Sequence, residues 1–292
     1  MHLYALQQSH HPAAQLRYAP APQQDALALH TLDERHVQQT PLGQWACAAP
    51  GGFAWVSVAD GVASSPCADL ASRSFLQVLH RASPTVPPQA RQLPGLVRQA
   101  RLAWRAQYLK PRTRGAACTL ASLLYADGQV CAVNSGDARI WRLRAQADGS
   151  VQWLQISRDH TAWQQMLDDG EADAGQTDEA ASIYQGLMHC LVLDADDEPD
   201  ADDLAEIHLG ETDLDASGAH DDWLRIWHGQ AAPGDAYLLA TDGLHGALTE
   251  AQMQALWQAA PSPQDGLRAL HHAWRRAGAQ DDVSVVLLQT EM

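Results

Sequence analysis

Aspartates stand where apolar, strand-like segments of the sequence begin or end, a placement that suits metal chemistry. They are Asp25, Asp60, Asp137, Asp242 and Asp281. Carboxylates at strand ends can converge at one edge of a sheet, where each pair at about 4 Å would repel by roughly 4 kcal/mol at an effective dielectric constant of 20. Divalent cations would relieve that repulsion, so the pattern predicts a metal site.

The ligand type favours hard ions. Carboxylate and carbonyl oxygens without neighbouring histidine or cysteine ligands select ions such as Mg²⁺ or Mn²⁺. Asp60 and Asp242 are each followed by a glycine, and we interpret Gly61 as a residue that turns its carbonyl toward an ion without steric cost. One Asp-Gly pair is more typical of a turn, but two in the same setting indicate a site.

Length and charge narrow the classes of protein to which the chain can belong. With 292 residues it is long enough for a substantial core, and we expect a single domain over residues 1–292. The 35 acidic and 19 basic residues give a formal net charge of −16, which opposes binding to nucleic acid and to anionic membranes. Neither is expected as a partner.

The cysteines and the apolar segments indicate the compartment. The 5 cysteines include no Cys-x-x-Cys pair, and an odd number fits free thiols in a reducing environment. The N-terminal segment lacks the basic leader and apolar centre of a signal peptide, and no apolar run approaches the roughly 18 residues of a membrane span. We therefore expect a soluble, cytoplasmic protein.

Apolar and alternating runs predict strands in several parts of the chain. The predicted strands cover residues 53–60, 118–126, 129–136, 139–144, 151–157, 236–241 and 283–290. Asp127 and Gly128 separate two of them and form a type I′ hairpin signal, so this pair should be antiparallel. Its register would place Leu124 opposite Cys131, and no disulfide between Cys118 and Cys131 is expected.

Helical periodicity predicts further elements around these strands. Two helices are expected at 67–82 and 94–109, a third after a Thr249/Gln252 capping box, and a fourth from Ser262 to a stop at Gly278. Antiparallel strands with segregated helices predict an α+β fold in which sheets pack on each other and helices cover the outside.

Residues 194–222 differ in kind from the rest, with 13 acidic residues and no lysine or arginine. Such a segment repels itself and buries little surface, so we interpret it as a surface insertion. The alternative is an acidic lip that attracts basic segments of a partner protein. The ligand pattern of an EF-hand calcium loop is absent.

The aspartates lie in motifs with a recognisable order. The motifs are QQDAL, VADGVASSPCADLAS, NSGDAR, LATDGLHG and GAQDDVSVV. In this order they resemble the metal-dependent, PPM-type (2C-like) serine/threonine protein phosphatases, especially the bacterial members. The resemblance implies a four-layer α-β-β-α sandwich with two central antiparallel sheets. It also implies hydrolysis of phosphoserine and phosphothreonine in proteins that a serine/threonine kinase has modified.

The same resemblance implies a role for each aspartate. Asp60 would bridge two Mn²⁺ or Mg²⁺ ions, with the Gly61 carbonyl on the second ion. Asp242 and Asp281 would hold the first ion, and Asp25 the second, directly or through water. Asp60, Asp242 and Asp281 would thus act in catalysis through bound ions that activate a water for attack on phosphorus.

One departure from the family pattern concerns phosphate binding. The family's phosphate-binding arginine should stand five residues before Asp25, where this chain has Pro20. Arg17 is then the candidate for this role.

A second departure concerns a third metal ion, for which Asp137 matches a ligand. The usual partner aspartate is replaced by Gly246, so the third site would be weak or absent unless His245 contributes. The pair Asp159-His160 matches another family motif and is interpreted as a structural loop that fixes the helix after it.

Two other functions stay open at this point. The chain could be a catalytically weak or inactive regulatory module that keeps the sandwich and the metals but has lost phosphate capture. It could also be a two-metal nuclease or phosphodiesterase, although the charge of −16 opposes that reading.

Overall fold

A computed structural model describes residues 1–9, 23–32, 35–38, 43–49, 52–81, 87–172, 186–194, 207–209, 223–278 and 281–291. The strands are β1 (His2–Gln8), β2 (Ala26–Thr31), β3 (Arg35–Gln38), β4 (Gly43–Ala48), β5 (Phe53–Ala59), β6 (Ala117–Cys118), β7 (Leu120–Ala126), β8 (Gln129–Ser135), β9 (Arg139–Ala145), β10 (Val151–Gln155), β11 (Leu191–Val192), β12 (Ile207–Leu209), β13 (Arg225–Gln230), β14 (Ala236–Ala240) and β15 (Val283–Gln289). The α-helices are α1 (Ala68–Arg81), α2 (Leu93–Tyr108), α3 (Ala162–Asp168), α4 (Asp242–His245), α5 (Glu250–Gln258) and α6 (Pro263–Arg276). A 3₁₀ turn (Ala90–Gln92) precedes α2.

Two large sheets form the centre of the molecule. The first has 6 strands in the order β10-β9-β14-β15-β1-β4, and the second has 7 strands in the order β12-β13-β8-β7-β5-β2-β3. Every neighbouring pair in the first sheet is antiparallel. In the second sheet, the edge pair β12 and β13 is parallel, and this pairing was not predicted.

Three apolar layers hold the sheets and helices together. One lies between the two sheets and includes Val56, Leu123 and Val286. A second packs α1 and α2 against the outer face of the 7-stranded sheet, and a third packs α5 and α6 against the outer face of the 6-stranded sheet. The predicted four-layer α-β-β-α sandwich with two central sheets is therefore confirmed.

Strand β5 shows why the apolar pattern identified the central strands. All 7 of its residues are buried. Trp55 and Ala59 face the helices, whereas Val56 and Val58 face the other sheet. A strand covered on both faces has a continuous apolar sequence, and this is the signal from which residues 53–60 were predicted.

Local signals placed the helix ends correctly. The side chain of Thr249 accepts from the Gln252 N–H and the reciprocal bond is present, so the capping box before α5 is confirmed. Ser262 caps α6 by accepting from the Asp265 N–H, and Gly278, with a φ of 68°, follows the end of that helix. The hydroxyl of Thr161 caps α3, the helix after the Asp159-His160 loop.

The hairpin between β7 and β8 has the predicted turn and register. Asp127 and Gly128 have φ angles of 51° and 82°, as a type I′ turn requires. Leu124 pairs with Cys131. Among the described residues, Cys67, Cys118, Cys131 and Cys190 are all free thiols, so the expected absence of a Cys118–Cys131 disulfide is confirmed.

Several elements had no strong sequence signal. The strands β1 to β4 and β11 to β13 were not predicted. Most of the acidic segment 194–222 lies outside the described residues, as do Arg17 and Pro20. Within the described part of the chain, no helix combines the length and apolar character that a membrane span needs.

Candidate metal centre

The two sheets bring their acidic strand ends to one edge of the sandwich. Ala26 of β2 pairs with Ala59 of β5, so Asp25 and Asp60, the next residues outward, stand at the same end of that ladder. In the other sheet Ala240 of β14 pairs with Val285 of β15. Asp242 and the Asp281-Asp282 pair therefore border the matching end.

Asp25 lies deep in this edge. It is 1% exposed, and its Oδ2 accepts a 2.8 Å hydrogen bond from the Thr241 hydroxyl. Burial raises the pKa of the Asp25 carboxyl to about 8, against the hydrogen bonds from Asp60 and Thr241 that lower it. Its Oδ1 is buried and has no hydrogen-bond partner, so one carboxylate oxygen is left to meet a ligand.

Asp60 has several acidic neighbours. Burial raises its pKa well above the ordinary value, and the charges of Asp25, Asp242 and Asp281 raise it further. The Asp60 backbone is fixed by Thr119, whose N–H donates to the Asp60 carbonyl at 2.8 Å and whose hydroxyl accepts from the Asp60 N–H at 3.1 Å. The side chain is therefore held in a repulsive environment by a rigid backbone.

Gly61 occupies a position where a side chain has no room. A Cβ at this position would lie 2.3 Å from the Ala68 carbonyl oxygen, at the start of α1. The close approach of that helix, rather than an unusual backbone angle, excludes a side chain. The predicted role of the Gly61 carbonyl as a metal ligand is a separate matter and stays a prediction.

The hydrogen bonds beside Gly61 depart from a regular ladder. The Gly61 N–H donates to the Gln24 carbonyl at 3.1 Å, and a regular antiparallel pair would return a bond from the Gln24 N–H. That N–H instead donates to Asp282 Oδ2 at 3.0 Å. The Gln24 N–H, which would donate to the Gly61 carbonyl in a continued ladder, therefore donates to Asp282 instead.

Asp242 is the first residue of the short helix α4. Burial, and then the charge of Asp281, raise its pKa to about 6, and its Oδ1 is buried with no hydrogen-bond partner. A Cβ on Gly243 would lie 1.8 Å from the Asp282 carbonyl oxygen. This glycine therefore permits the contact that brings the Asp242 turn against the start of β15.

Sequence reasoning selected Asp281 and missed its neighbour Asp282. Asp282 is 4% exposed, and its carboxylate accepts from the Ser9 hydroxyl at 2.9 Å and from the Gln24 N–H at 3.0 Å. The Asp281 carboxylate accepts from the Asp282 N–H at 2.8 Å. The two consecutive aspartates were a signal in the sequence. Which of the two side chains is buried depends on the alternation of faces along β15, and the sequence alone does not give that alternation.

Asp137 lies in the loop between β8 and β9, beside the same edge. Burial, and then the charge of Asp242, raise its pKa to about 8. The Nε2–H of His245 donates to the Asp137 backbone carbonyl at 3.1 Å. A nitrogen that carries this proton cannot coordinate a metal, so the suggestion that His245 helps a third ion is not supported at that atom.

The side chains of these residues are of the type that binds a divalent cation, but they are not yet spaced around one ion. Within the described residues, no three His, Cys, Asp or Glu side chains are already spaced around one ion. The Asp60 carboxyl instead contributes to the pKa shifts of both Asp25 and Asp242. Oxygen donors, two buried oxygens without a hydrogen-bond partner and raised pKa values in four carboxyls are the properties expected where a hard cation compensates repulsion.

An open cleft of about 340 Å³ adjoins the carboxylates. Its lining consists of Asp242, Gly243, Gly246, Ala247, Ala277, Gly278 and Asp281. None of these residues is cationic, so a bound anion would depend on metal ions for charge compensation in this cleft.

Most of the chain matches a known protein family. The model of the family described as "Protein phosphatase 2C" matches residues 17–279. The chain belongs to the protein phosphatase 2C family. Members of this family are serine/threonine phosphatases that use Mn²⁺ or Mg²⁺, so the predicted enzyme class and cofactors are confirmed at the level of the family. A comparison with curated protein sequences finds no significant match.

Solved structures of bacterial phosphatases share the fold of this phosphatase 2C chain. The Mycobacterium tuberculosis serine/threonine phosphatase PstP/Ppp is 21% identical, with 100% of both chains covered and a TM-score of 0.66. The Staphylococcus aureus phosphatase Stp1 is 14% identical over 99% of this chain and 95% of its own, with a TM-score of 0.69. A structure of the PstP catalytic domain in complex with 2 manganese ions is 21% identical over 100% of both chains, with a TM-score of 0.64.

Proposed function

We propose that this phosphatase 2C family member hydrolyses phosphoserine and phosphothreonine in proteins with the help of two Mn²⁺ or Mg²⁺ ions. The observation that carries the proposal is the convergence of Asp25, Asp60 and Asp242 at one edge of the sandwich. Two of these carboxyls keep a buried oxygen without a hydrogen-bond partner. Burial and mutual repulsion of this kind favour divalent cations over an empty site.

The residues divide into ligands and supports. We assign the carboxylates of Asp25, Asp60, Asp242 and Asp281, together with the Gly61 carbonyl, as the groups that would hold the two ions. Bound ions would supply an activated water nucleophile and compensate the charge of the phosphoryl group.

Other side chains orient the ligands. The Thr241 hydroxyl sets the direction of the Asp25 carboxylate through its 2.8 Å hydrogen bond. Asp282, which accepts from the Gln24 N–H, fixes the segment before β2 against the segment before β15. Asp137 is the candidate ligand of a third ion. Arg17 is proposed to contact the phosphoryl group, because the cleft lining supplies no cation.

The substrate would be a protein that a serine/threonine kinase has phosphorylated. The small residues that line the cleft beside Asp242 leave room for the chain on either side of the phosphorylated residue.

The four described cysteines are free thiols, which supports the cytoplasm as the site of action. We treat residues 1–292 as one domain, with the acidic insertion at about 194–222 as a docking element for basic substrate segments.

A metal titration tests the proposal directly. Purified protein in millimolar Mn²⁺ should hydrolyse an aryl phosphate and a phosphothreonine peptide, and EDTA should abolish both activities. Asp60→Ala and Asp242→Asn should lose more than the roughly 10–100-fold that removal of an outer-shell partner costs. A bis-aryl phosphate serves as the control for phosphodiesterase activity. Turnover that is equal in wild type and Asp60→Ala would overturn the proposal.

A second function is favoured by the cleft itself. Its lining contains two carboxylates and no cationic side chain, and Gly246 replaces the acidic partner that the family uses for a third ion. A regulatory binding module that retains metals without turnover would show Mn²⁺-dependent thermal stabilisation but no hydrolysis of either substrate. That pair of results would select this alternative.

A further inference from the structure

His245 connects two acidic loops of the candidate metal centre. It is the last residue of α4, whose first residue is Asp242. Its Nε2–H donates to the backbone carbonyl of Asp137 at 3.1 Å, across 108 positions of sequence. One hydrogen bond therefore ties the Asp242 turn to the loop between β8 and β9.

The two loops bring acidic side chains close together. The charge of Asp242 contributes to the raised pKa of Asp137, so the two carboxyls are near neighbours. The imidazole of His245 packs against Trp141 with ring centroids 6.1 Å apart, which restricts the orientation of the ring. A neutral N–H donor in this place opposes the separation of the loops without adding a charge.

The opposite side of the Asp137 loop is fixed independently. Gly136 and His160 exchange two hydrogen bonds, from the Gly136 N–H to His160 Nδ1 at 3.1 Å and from the His160 N–H to the Gly136 carbonyl at 3.0 Å. Arg139 forms a 2.6 Å ion pair with the buried Asp159. The β8–β9 loop is thus held from that side, and His245 supplies a contact between this loop and the helix that begins with Asp242.

We propose that His245 is a positioning residue for the metal centre, which acts through the Asp137 carbonyl to set the separation of the Asp137 and Asp242 carboxylates. The inference rests on the proposed metal-dependent function. Outer-shell hydrogen bonds that orient ligands typically change metal affinity 10–100-fold when they are removed. Loss of this one should therefore weaken Mn²⁺ binding more than it weakens folding.

Two substitutions that introduce the same amide group at different lengths test the hydrogen bond from His245 to the Asp137 carbonyl. His245→Gln places an N–H at nearly the reach of Nε2, whereas His245→Asn carries the same amide on a chain one methylene shorter. Mn²⁺ affinity of the full chain is measured by calorimetry and by Mn²⁺-dependent thermal shift, together with the melting temperature in EDTA. His245→Phe, which keeps an aromatic ring beside Trp141, is the second variant without a donor.

The expected result is a loss of Mn²⁺ affinity of roughly 10-fold or more in His245→Asn and His245→Phe. His245→Gln should retain affinity near that of wild type, and the melting temperatures in EDTA should agree. Equal affinity in all four proteins, or equal loss in the Gln and Asn variants, would overturn the inference. Wild type that binds Mn²⁺ without turnover would contradict the proposed function but leave the binding comparison valid, and wild type that binds no Mn²⁺ would overturn both.

Discussion

Thr241 and Asp25 lie 216 positions apart in the chain, and the Thr241 hydroxyl donates a 2.8 Å hydrogen bond to Asp25 Oδ2. Thr241 follows β14 in one sheet and Asp25 precedes β2 in the other. The same hydroxyl accepts from the Ser284 N–H at 3.0 Å. This contact joins the two sheets at the edge where the carboxylates lie, and it leaves Asp25 Oδ1 without a hydrogen-bond partner.

Removal of the Thr241 hydroxyl should weaken both the fold and the metal site. Thr241→Val keeps the shape but leaves a buried carboxylate oxygen and the Ser284 N–H without this partner, at a cost of about 1–3 kcal/mol. Urea unfolding and Mn²⁺ calorimetry would measure the two effects. Thr241→Ser, which retains the hydroxyl, is the matched control. A valine variant with wild-type Mn²⁺ affinity would contradict the orienting role of this bond.

Without metal, the protein should lose stability as the pH rises. The folded-state pKa of Asp25 is about 8 and that of Asp242 about 6, against the ordinary value of 3.8. Between the ordinary and the raised values, the folded protein holds protons that the unfolded chain releases. The free energy of unfolding therefore falls as pH rises from about 4 to about 8.

Urea denaturation in EDTA across this pH range measures the slope. Mn²⁺ should oppose the loss, because the ion competes with protons for the same oxygens. Asp25→Asn, which removes the carboxyl with the higher pKa of this pair, should flatten the decline in EDTA. Stability that increases with pH in EDTA would show that these carboxyls are not protonated in the folded state.

Gly243→Ala should destabilise the candidate metal centre because the new methyl group would clash with the backbone of Asp282. The added methyl would lie 1.8 Å from the Asp282 carbonyl oxygen, so the Asp242 turn and the start of β15 must separate. Overpacking of this kind costs about 1–3 kcal/mol or more. Denaturant unfolding and Mn²⁺ calorimetry provide the measurements. Gly95→Ala is the control, because Gly95 lies in helix α2 with no atom within 4 Å of the new methyl, and it should stabilise by up to about 1 kcal/mol.

Ala277→Trp should separate peptide turnover from aryl phosphate turnover. Ala277 lines the cleft of about 340 Å³ beside Asp242 and Asp281, and an indole there would obstruct the substrate chain while leaving the carboxylates in place. The measured quantity is kcat/KM for a phosphothreonine peptide relative to that for an aryl phosphate. Ala251→Trp, an exposed position on α5, is the size-matched control. An unchanged ratio in Ala277→Trp would exclude this cleft as the peptide path.

The parts of the fold that were predictable are those in which one chain segment carries the whole signal. β5, β14 and β15 are buried almost throughout, so their apolar runs identify them without knowledge of their partners. β1 was missed because its sequence mixes apolar residues with His2, Gln7 and Gln8. Gln7 is fully buried, and its amide donates to the Asp25 carbonyl at 3.2 Å and to the Ser284 hydroxyl at 3.1 Å, partners that no local pattern reveals.

The candidate site also contains residues that the local sequence identifies and residues whose role depends on contacts between distant segments. Strand ends identified Asp25, Asp60, Asp137, Asp242 and Asp281 as a group, and the structure places them close enough for their charges to interact. The burial of Asp282 depends on its bond to the Gln24 N–H, a contact between distant segments. The hydrogen bond from His245 to the Asp137 carbonyl is equally non-local, and a histidine beside an acidic motif suggested coordination instead.

The six-stranded sheet has an order of synthesis that differs from its order in space. β15 is the last of its strands along the chain, yet it lies between β14 and β1 and pairs with both. β1 can pair early with β4, but its second neighbour emerges more than 270 positions later, as the pairing of Leu6 with Val285 shows. The sheet is therefore completed only when β15 has been synthesised, because this strand alone joins the β1–β4 pair to β14.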